Sequence, residues 1–134
     1  ELIELALRDQ YPVSNDEMAR PTLLHGRAAA VLLSERFGER RKDVLQAVRW
    51  HTFGHPDMGP LGMILYVADY IEPGRTHVDE EFRRAVMEKR SPEDMVLAVM
   101  TEEFEHLREK GRRIVQFSLM LYDALMTEEA RSGV

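Results

Sequence analysis

Three side chains stand out as able to hold a cation together: His25, His51 and Asp69. Asp69 closes the apolar run Ile64-Leu65-Tyr66-Val67-Ala68. It follows Leu61 and Leu65 at helical steps of four, which predicts that it points to the buried side. Burying a carboxylate is expensive unless something pairs with it. A bound cation is one such partner, and histidine nearby in the fold is a natural co-ligand for a divalent metal. Such a metal lowers the pKa of its bound water and makes hydroxide available near neutral pH. A structural salt bridge to an arginine such as Arg49 is the other reading.

His51 shares an apolar face with Val44, Ala47 and Val48, and Thr52 is placed to orient it. His25 lies beside an apolar stripe and precedes Gly26. Glycine inside a helix costs about 1 kcal/mol relative to alanine, and it is tolerated where a backbone or ligand must come close. Periodicity alone favours a plainer reading for both histidines: core imidazoles with one hydrogen bond each, with Gly26 serving helix packing. Arg75, after Pro73-Gly74, suits either a bidentate grip on phosphate oxygens or a solvated role at a helix C-terminus. Arg112 and Arg113, after Gly111, carry the same two readings. Glu103-x-x-His106 has the acid–histidine spacing of di-iron bundles. The sequence holds no second copy of that motif, so helical pairing of Glu102 with His106 is expected instead. His55 and His77 fall in loops, where solvated histidines are normal. Met63, Met87, Met95, Met100, Met120 and Met126 are expected to fill core gaps.

These residues must be positioned by helices. Helical spacing covers Glu1 to Gln10 until Tyr11-Pro12 breaks it. Ser14-x-x-Glu17 forms a capping box for a short turn. Pro21 opens a longer helix with Leu24, Ala28, Val31, Leu32 and Phe37 in its stripe, and Gly38 ends it. Further helices are expected over about 42–52, 61–71, 79–89, 91–110 and 117–130, with Asp79 and Ser91 as N-caps. His55 to Pro60 reads as a loop. Convincing strands and internal repeats are absent. The fold class is all-α, one compact bundle spanning residues 1–134.

Composition bounds the function. The chain has 134 residues, 44% hydrophobic and 31% charged, as in an ordinary globular domain. A net charge of −6 opposes a nonspecific grip on DNA or RNA. It leaves room for a small phosphorylated ligand in a locally positive pocket. With no cysteine, disulfides and thiolate metal sites are excluded. No apolar run approaches the roughly 20 residues of a membrane span and no signal peptide is visible, so the cytoplasm is the default compartment.

Trp50-His51-Thr52-x-Gly54, then Gly59-x-Leu61, then Val67-Ala68-Asp69-Tyr70-Ile71-Glu72-Pro73-Gly74-Arg75 resemble the YqeK family of the HD hydrolase superfamily. Leu24-His25-Gly26-x-Ala28-Ala29 resembles that family's histidine on the preceding helix. The resemblance covers almost the whole chain. It implies an all-helical, metal-dependent hydrolase that cleaves diadenosine tetraphosphate symmetrically into two ADP. The implied metal is iron, with manganese or magnesium as alternatives. It also implies that Asp69 is a metal ligand. His25 and His51 would line the site as further ligands or phosphate contacts, and Arg75 would hold phosphate. The connector Arg112, Arg113, Ile114, Val115, Gln116 and Phe117 matches a segment that approaches the nucleotide. A homodimer is a possible assembly.

The chain departs from the family in lacking an adjacent His-Asp pair, which in the family lies just upstream of a segment like Glu1 to Gln10. The expectation is that an N-terminal part carrying those ligands is not included in these residues. Gly54-His55, Gly62-Met63 and the 112–117 connector also differ from the family's usual residues. Two other readings are another HD-type nucleotide phosphohydrolase and a noncatalytic helical interaction module.

Overall fold

Local signals set most of the helix ends. The computed structural model describes residues 1–132. It contains α1 (Leu2–Leu7), α2 (Asn15–Ala19), a 3-10 turn (Pro21–Leu24), α3 (His25–Phe37), α4 (Lys42–Trp50), α5 (Gly59–Ile71), α6 (Glu80–Met87), α7 (Pro92–Glu109) and α8 (Gln116–Ser132). No strand occurs among the described residues, so the fold is all-α as expected. Among the described residues no helix is long and apolar enough to cross a membrane.

The caps form as read. Ser14 accepts from the Glu17 N–H while the Glu17 carboxylate accepts from the Ser14 N–H, a complete capping box. Asp79 and Ser91 cap α6 and α7 through Phe82 N–H and Asp94 N–H. Gly38 ends α3 in the left-handed conformation, φ 68°. Several boundaries differ: α4 ends at Trp50 rather than 52, α5 begins at Gly59 inside the expected loop, and the ends of α6, α7 and α8 shift by one or two residues. The first helix stops at Leu7 rather than Gln10, and the helix from Pro21 begins as a tighter 3-10 turn before continuing as α3.

The helices pack in a chain of neighbours: α1 on α3, α3 on α4, α4 on α5, α5 on α7, and α7 on both α6 and α8. Their shared core is built on Trp50, Met58, Tyr66, Met100, Phe104 and Leu121. Phe37 was expected in the α3 stripe, but it lies at the fraying end of its helix and is 73% exposed. Met63 and Met100 fill the core as expected. Met87, Met120 and Met126 instead lie exposed on outer helix faces.

A buried ionic knot fastens the break at Tyr11-Pro12 to the helices around it. Arg27 is fully enclosed. Its guanidinium donates to Glu17 (2.8 Å), Asp9 (2.7 Å) and the carbonyls of Tyr11 and Pro12 (2.9 and 2.7 Å). It also lies 4.6 Å from the centroid of the Trp50 ring. Asp9 accepts a second guanidinium, Arg49, at 2.9 Å. Arg49 in turn donates to Gln46, whose amide donates to the Tyr11 hydroxyl at 2.7 Å. Every charge here is paired, which is what makes its burial affordable. Arg49 is therefore committed to Asp9 and not to Asp69.

Candidate functional site

His25 opens α3 and His51 caps the end of α4, and the two rings meet edge to face with centroids 5.2 Å apart. Gly26 makes the meeting possible. A Cβ at that position would lie 2.8 Å from the carbonyl oxygens of both Val48 and Arg49. The start of α3 thus rests directly on the last turn of α4, and the glycine serves backbone approach.

Both imidazoles are fixed in the same way. Each Nδ1 donates to the carbonyl three residues earlier: His25 to Thr22 at 2.9 Å and His51 to Val48 at 2.6 Å. A carbonyl can only accept, so each Nδ1 carries a hydrogen and the neutral ring keeps its lone pair on Nε2. The Nε2 of His25 accepts from the Thr52 hydroxyl at 3.1 Å. Thr52 therefore orients His25, not its neighbour His51. The Nε2 of His51 has no partner among the described residues. Two histidines with Nδ1 tied to backbone and Nε2 turned outward have the arrangement used by metal-binding or phosphate-facing imidazoles.

Asp69 corrects the sequence reading. The buried side of α5 is formed by Gly62, Met63, Tyr66, Val67, Tyr70 and Ile71, while Leu61 is exposed. The Asp69 side chain keeps 43% of its surface and pairs with Arg75 at 3.1 Å. Arg75 Nε also donates to the Asp69 carbonyl at 3.1 Å, so the arginine closes the end of α5. Its carboxylate is bonded to Arg75 and to neither histidine. Burial does not force a cation on Asp69, because the carboxylate is half solvated and already has a counter-charge.

A second carboxyl stands behind it. Glu103, from α7, accepts from the Tyr66 hydroxyl at 3.0 Å. Burial pushes its pKa up to about 7, the Tyr66 hydrogen bond opposing and the Asp69 charge adding to the rise. Arg20 and Arg75 both act on it in the opposite direction. The neighbouring Tyr70 hydroxyl is buried without a partner. The helical pairing expected between Glu102 and His106 is not formed among the described residues; His106 stacks on His77 instead, with centroids 5.1 Å apart.

His55 also differs from expectation. It is buried, stacked 4.0 Å over Trp50, and packed on Phe117 at 4.7 Å. Its Nδ1 accepts from the Asp57 N–H at 2.9 Å, and burial lowers its pKa. The partners that enclose it are remote in sequence, so the loop composition of residues 55–60 gave no sign of them.

The connector divides in two. Ile114, Val115 and Phe117 turn their side chains into or against the core. Arg112, Arg113 and Gln116 remain exposed. Asp16 ties the segment down, accepting from the Gln116 N–H at 2.9 Å and lying 3.8 Å from Arg113. Arg112 and Arg113 line a cleft with Arg20, Leu23 and Val115.

The fit of these residues to a divalent metal is partial. Two imidazoles, the Nε2 of His51 unpartnered and that of His25 bonded only to Thr52, and one carboxylate are suitable donors. However, no group of three His, Asp or Glu side chains converges among the described residues. They do not by themselves form a metal centre.

Comparison with known proteins places the chain in a family. The HD domain family pattern matches residues 6–74, from the buried Ala6 of α1 to the turn just after Asp69's helix. A symmetrical bis(5'-nucleosyl)-tetraphosphatase of Halalkalibacterium halodurans is 34% identical over 107 residues, covering 80% of this chain and 57% of that protein. One of the same name from Bacillus subtilis is 45% identical over 62 residues, 45% of this chain and 33% of that protein. The chain thus spans a little over half the length of the first of these relatives. Among solved structures, a predicted HD superfamily hydrolase involved in NAD metabolism from Clostridium acetobutylicum superposes with a TM-score of 0.81. It is 29% identical, and the match covers 95% of this chain and 67% of that one. With half its length matched by the family pattern and its fold shared with a solved HD protein, this chain belongs to the HD domain family.

Proposed function

We propose that the whole protein is a metal-dependent hydrolase that cleaves diadenosine tetraphosphate symmetrically into two ADP. The observation that carries this reading is the His25–His51 pair, held by backbone carbonyls so that its Nε2 atoms face outward. The names borne by relatives of the chain support the choice of substrate. A divalent metal, iron in this reading, would supply Lewis acidity. Asp69 would be its ligand from this chain.

The chain's own residues bind and neutralise. A proton taken up on Nε2 would let His25 and His51 donate to phosphoryl oxygens as negative charge grows on them. Arg75 moves part of its grip from Asp69 to phosphate, for which its planar fork is suited. Arg112 and Arg113, with the backbone of residues 114–117, approach the nucleoside portion. Nearby Glu103 is a buried carboxyl with a proton to give near neutral pH.

The test is hydrolysis of diadenosine tetraphosphate by the full-length protein, with the products separated by chromatography. ADP alone is expected; ATP with AMP, or no turnover, overturns the reading. Asp69→Ala is expected to abolish turnover and bound metal together. Retained iron or activity in that variant removes Asp69 from the site.

A further inference from the structure

A second concave surface runs along the α3–α4 pair, from Arg49 near the histidine end of α4 to Lys42 at its start. A cleft of about 490 Å³ opens there between α1, α3 and α4, within the roughly 300–1,000 Å³ typical of small-ligand pockets. Lys42 begins α4 and His51 follows its end. At 1.5 Å per residue the Lys42 end of the cleft lies about 14 Å along the helix from His51.

The charges around the cleft are uneven. Arg8, Arg40, Lys42 and Arg49 line it, against the carboxylates of Asp9 and Glu35. Both carboxylates are already neutralised. Asp9 is enclosed between Arg27 and Arg49, and Glu35 is paired with Arg8 at 2.9 Å. Arg40 and Lys42 have no side-chain hydrogen bond or ion pair among the described residues. A chain with a net charge of −6 thus holds a locally positive pocket, and such a pocket focuses potential on anions.

Arg49 shows that the cleft is more than a rim of surface cations. It is 5% exposed. Its Nε is bonded to Asp9 and its Nη1 to Gln46. Its Nη2 has no partner among the described residues, yet it is not among the partnerless side-chain atoms sealed from solvent. A guanidinium held by its own carboxylate thus lines the cleft with one N–H-bearing nitrogen that bonds to nothing among the described residues. Fixed donors of this kind are pre-organised for an oxyanion.

We propose that this cleft is a binding site for a diphosphate or polyphosphate group, separate from the site around His25 and His51, with Arg49, Arg40 and Lys42 as its donors. The Ser34 hydroxyl lies in the same wall and offers a neutral donor. The proposal does not depend on the hydrolase reading, because neither histidine nor Asp69 takes part.

Isothermal titration calorimetry of the full-length protein with inorganic pyrophosphate, ADP and sulfate tests it. Pyrophosphate binding is expected, and it should persist in a His25→Ala/His51→Ala variant. Arg40→Ala and Lys42→Ala should each weaken it about tenfold, the loss of one charge-assisted contact. Both side chains are exposed and unpartnered, so both variants should fold. ADP sensitive to the same substitutions identifies a nucleotide as the ligand; ADP insensitive to them identifies the free inorganic anion. Methyl signals of Val31 and Leu45 should shift on adding pyrophosphate. The proposal is overturned if neither substitution changes the affinity, if binding disappears with the histidines, if sulfate binds equally tightly, or if those methyl signals do not move.

Discussion

The contact at Gly26 gives a perturbation whose size follows from the coordinates. In Gly26→Ala the new Cβ would sit 2.8 Å from the oxygens of Val48 and Arg49. Ordinary carbon–oxygen contacts begin at about 3.3 Å, so α3 and α4 must separate by about 0.5 Å. Both obstacles are backbone, so no side chain can swing aside. Overpacking of this kind costs about 1–3 kcal/mol, and alanine's better helix propensity returns at most about 1 kcal/mol. A net destabilisation of about 1–2 kcal/mol is expected in urea titration. The Val48 carbonyl is also the acceptor of His51 Nδ1. The same shift should therefore disturb the imidazole pair, read as displaced ring nitrogen signals for His25 and His51 by NMR. A Gly26→Ala protein as stable as the parent, with both rings unmoved, would refute the argument that glycine is there for backbone approach.

Two other expectations follow from the buried charges. Arg27→Met leaves Asp9 and Glu17 facing each other without their shared cation, and a loss of about 3–5 kcal/mol is expected in the same titration; a change under about 1 kcal/mol would mean the knot is dispensable. Glu103 holds its proton more tightly folded, at about 7, than at its ordinary 4.5. The native state therefore binds more protons between these values, and stability should fall as pH rises through that window, by on the order of 3 kcal/mol. Unfolding free energies from pH 4 to pH 8 should show that decline in the parent and not in Glu103→Gln; equal slopes in both would reject the raised value.

What the sequence disclosed depended on the range of the interaction. Ser14, Asp79 and Ser91 each act on a residue three positions on, and their caps were readable. The pairing of His25 with His51 was legible only as chemistry, since the contact through Gly26 joins two helices. Asp69 was misread because α5 is apolar on nearly every side. A step of four from Leu61 and Leu65 picks a stripe but cannot say which stripe is covered. Arg27 gave no local signal at all. An arginine among alanines reads as solvated, and its partners Asp9 and Glu17 lie on other elements. Glu103 was noticed for its spacing to His106, yet its actual partner is Tyr66 on α5.

The tie between Asp16 and Gln116 joins residues 100 positions apart, and it bears on how this protein can be cut. The HD family pattern stops at residue 74, but Phe117 leans on Trp50 and Phe53, and the Ser118 hydroxyl donates to the Phe53 carbonyl. The recognisable stretch is not a detachable piece. Excised at its own border, it would open its tryptophan to water, and any shortened or transplanted version has to bring the last two helices along.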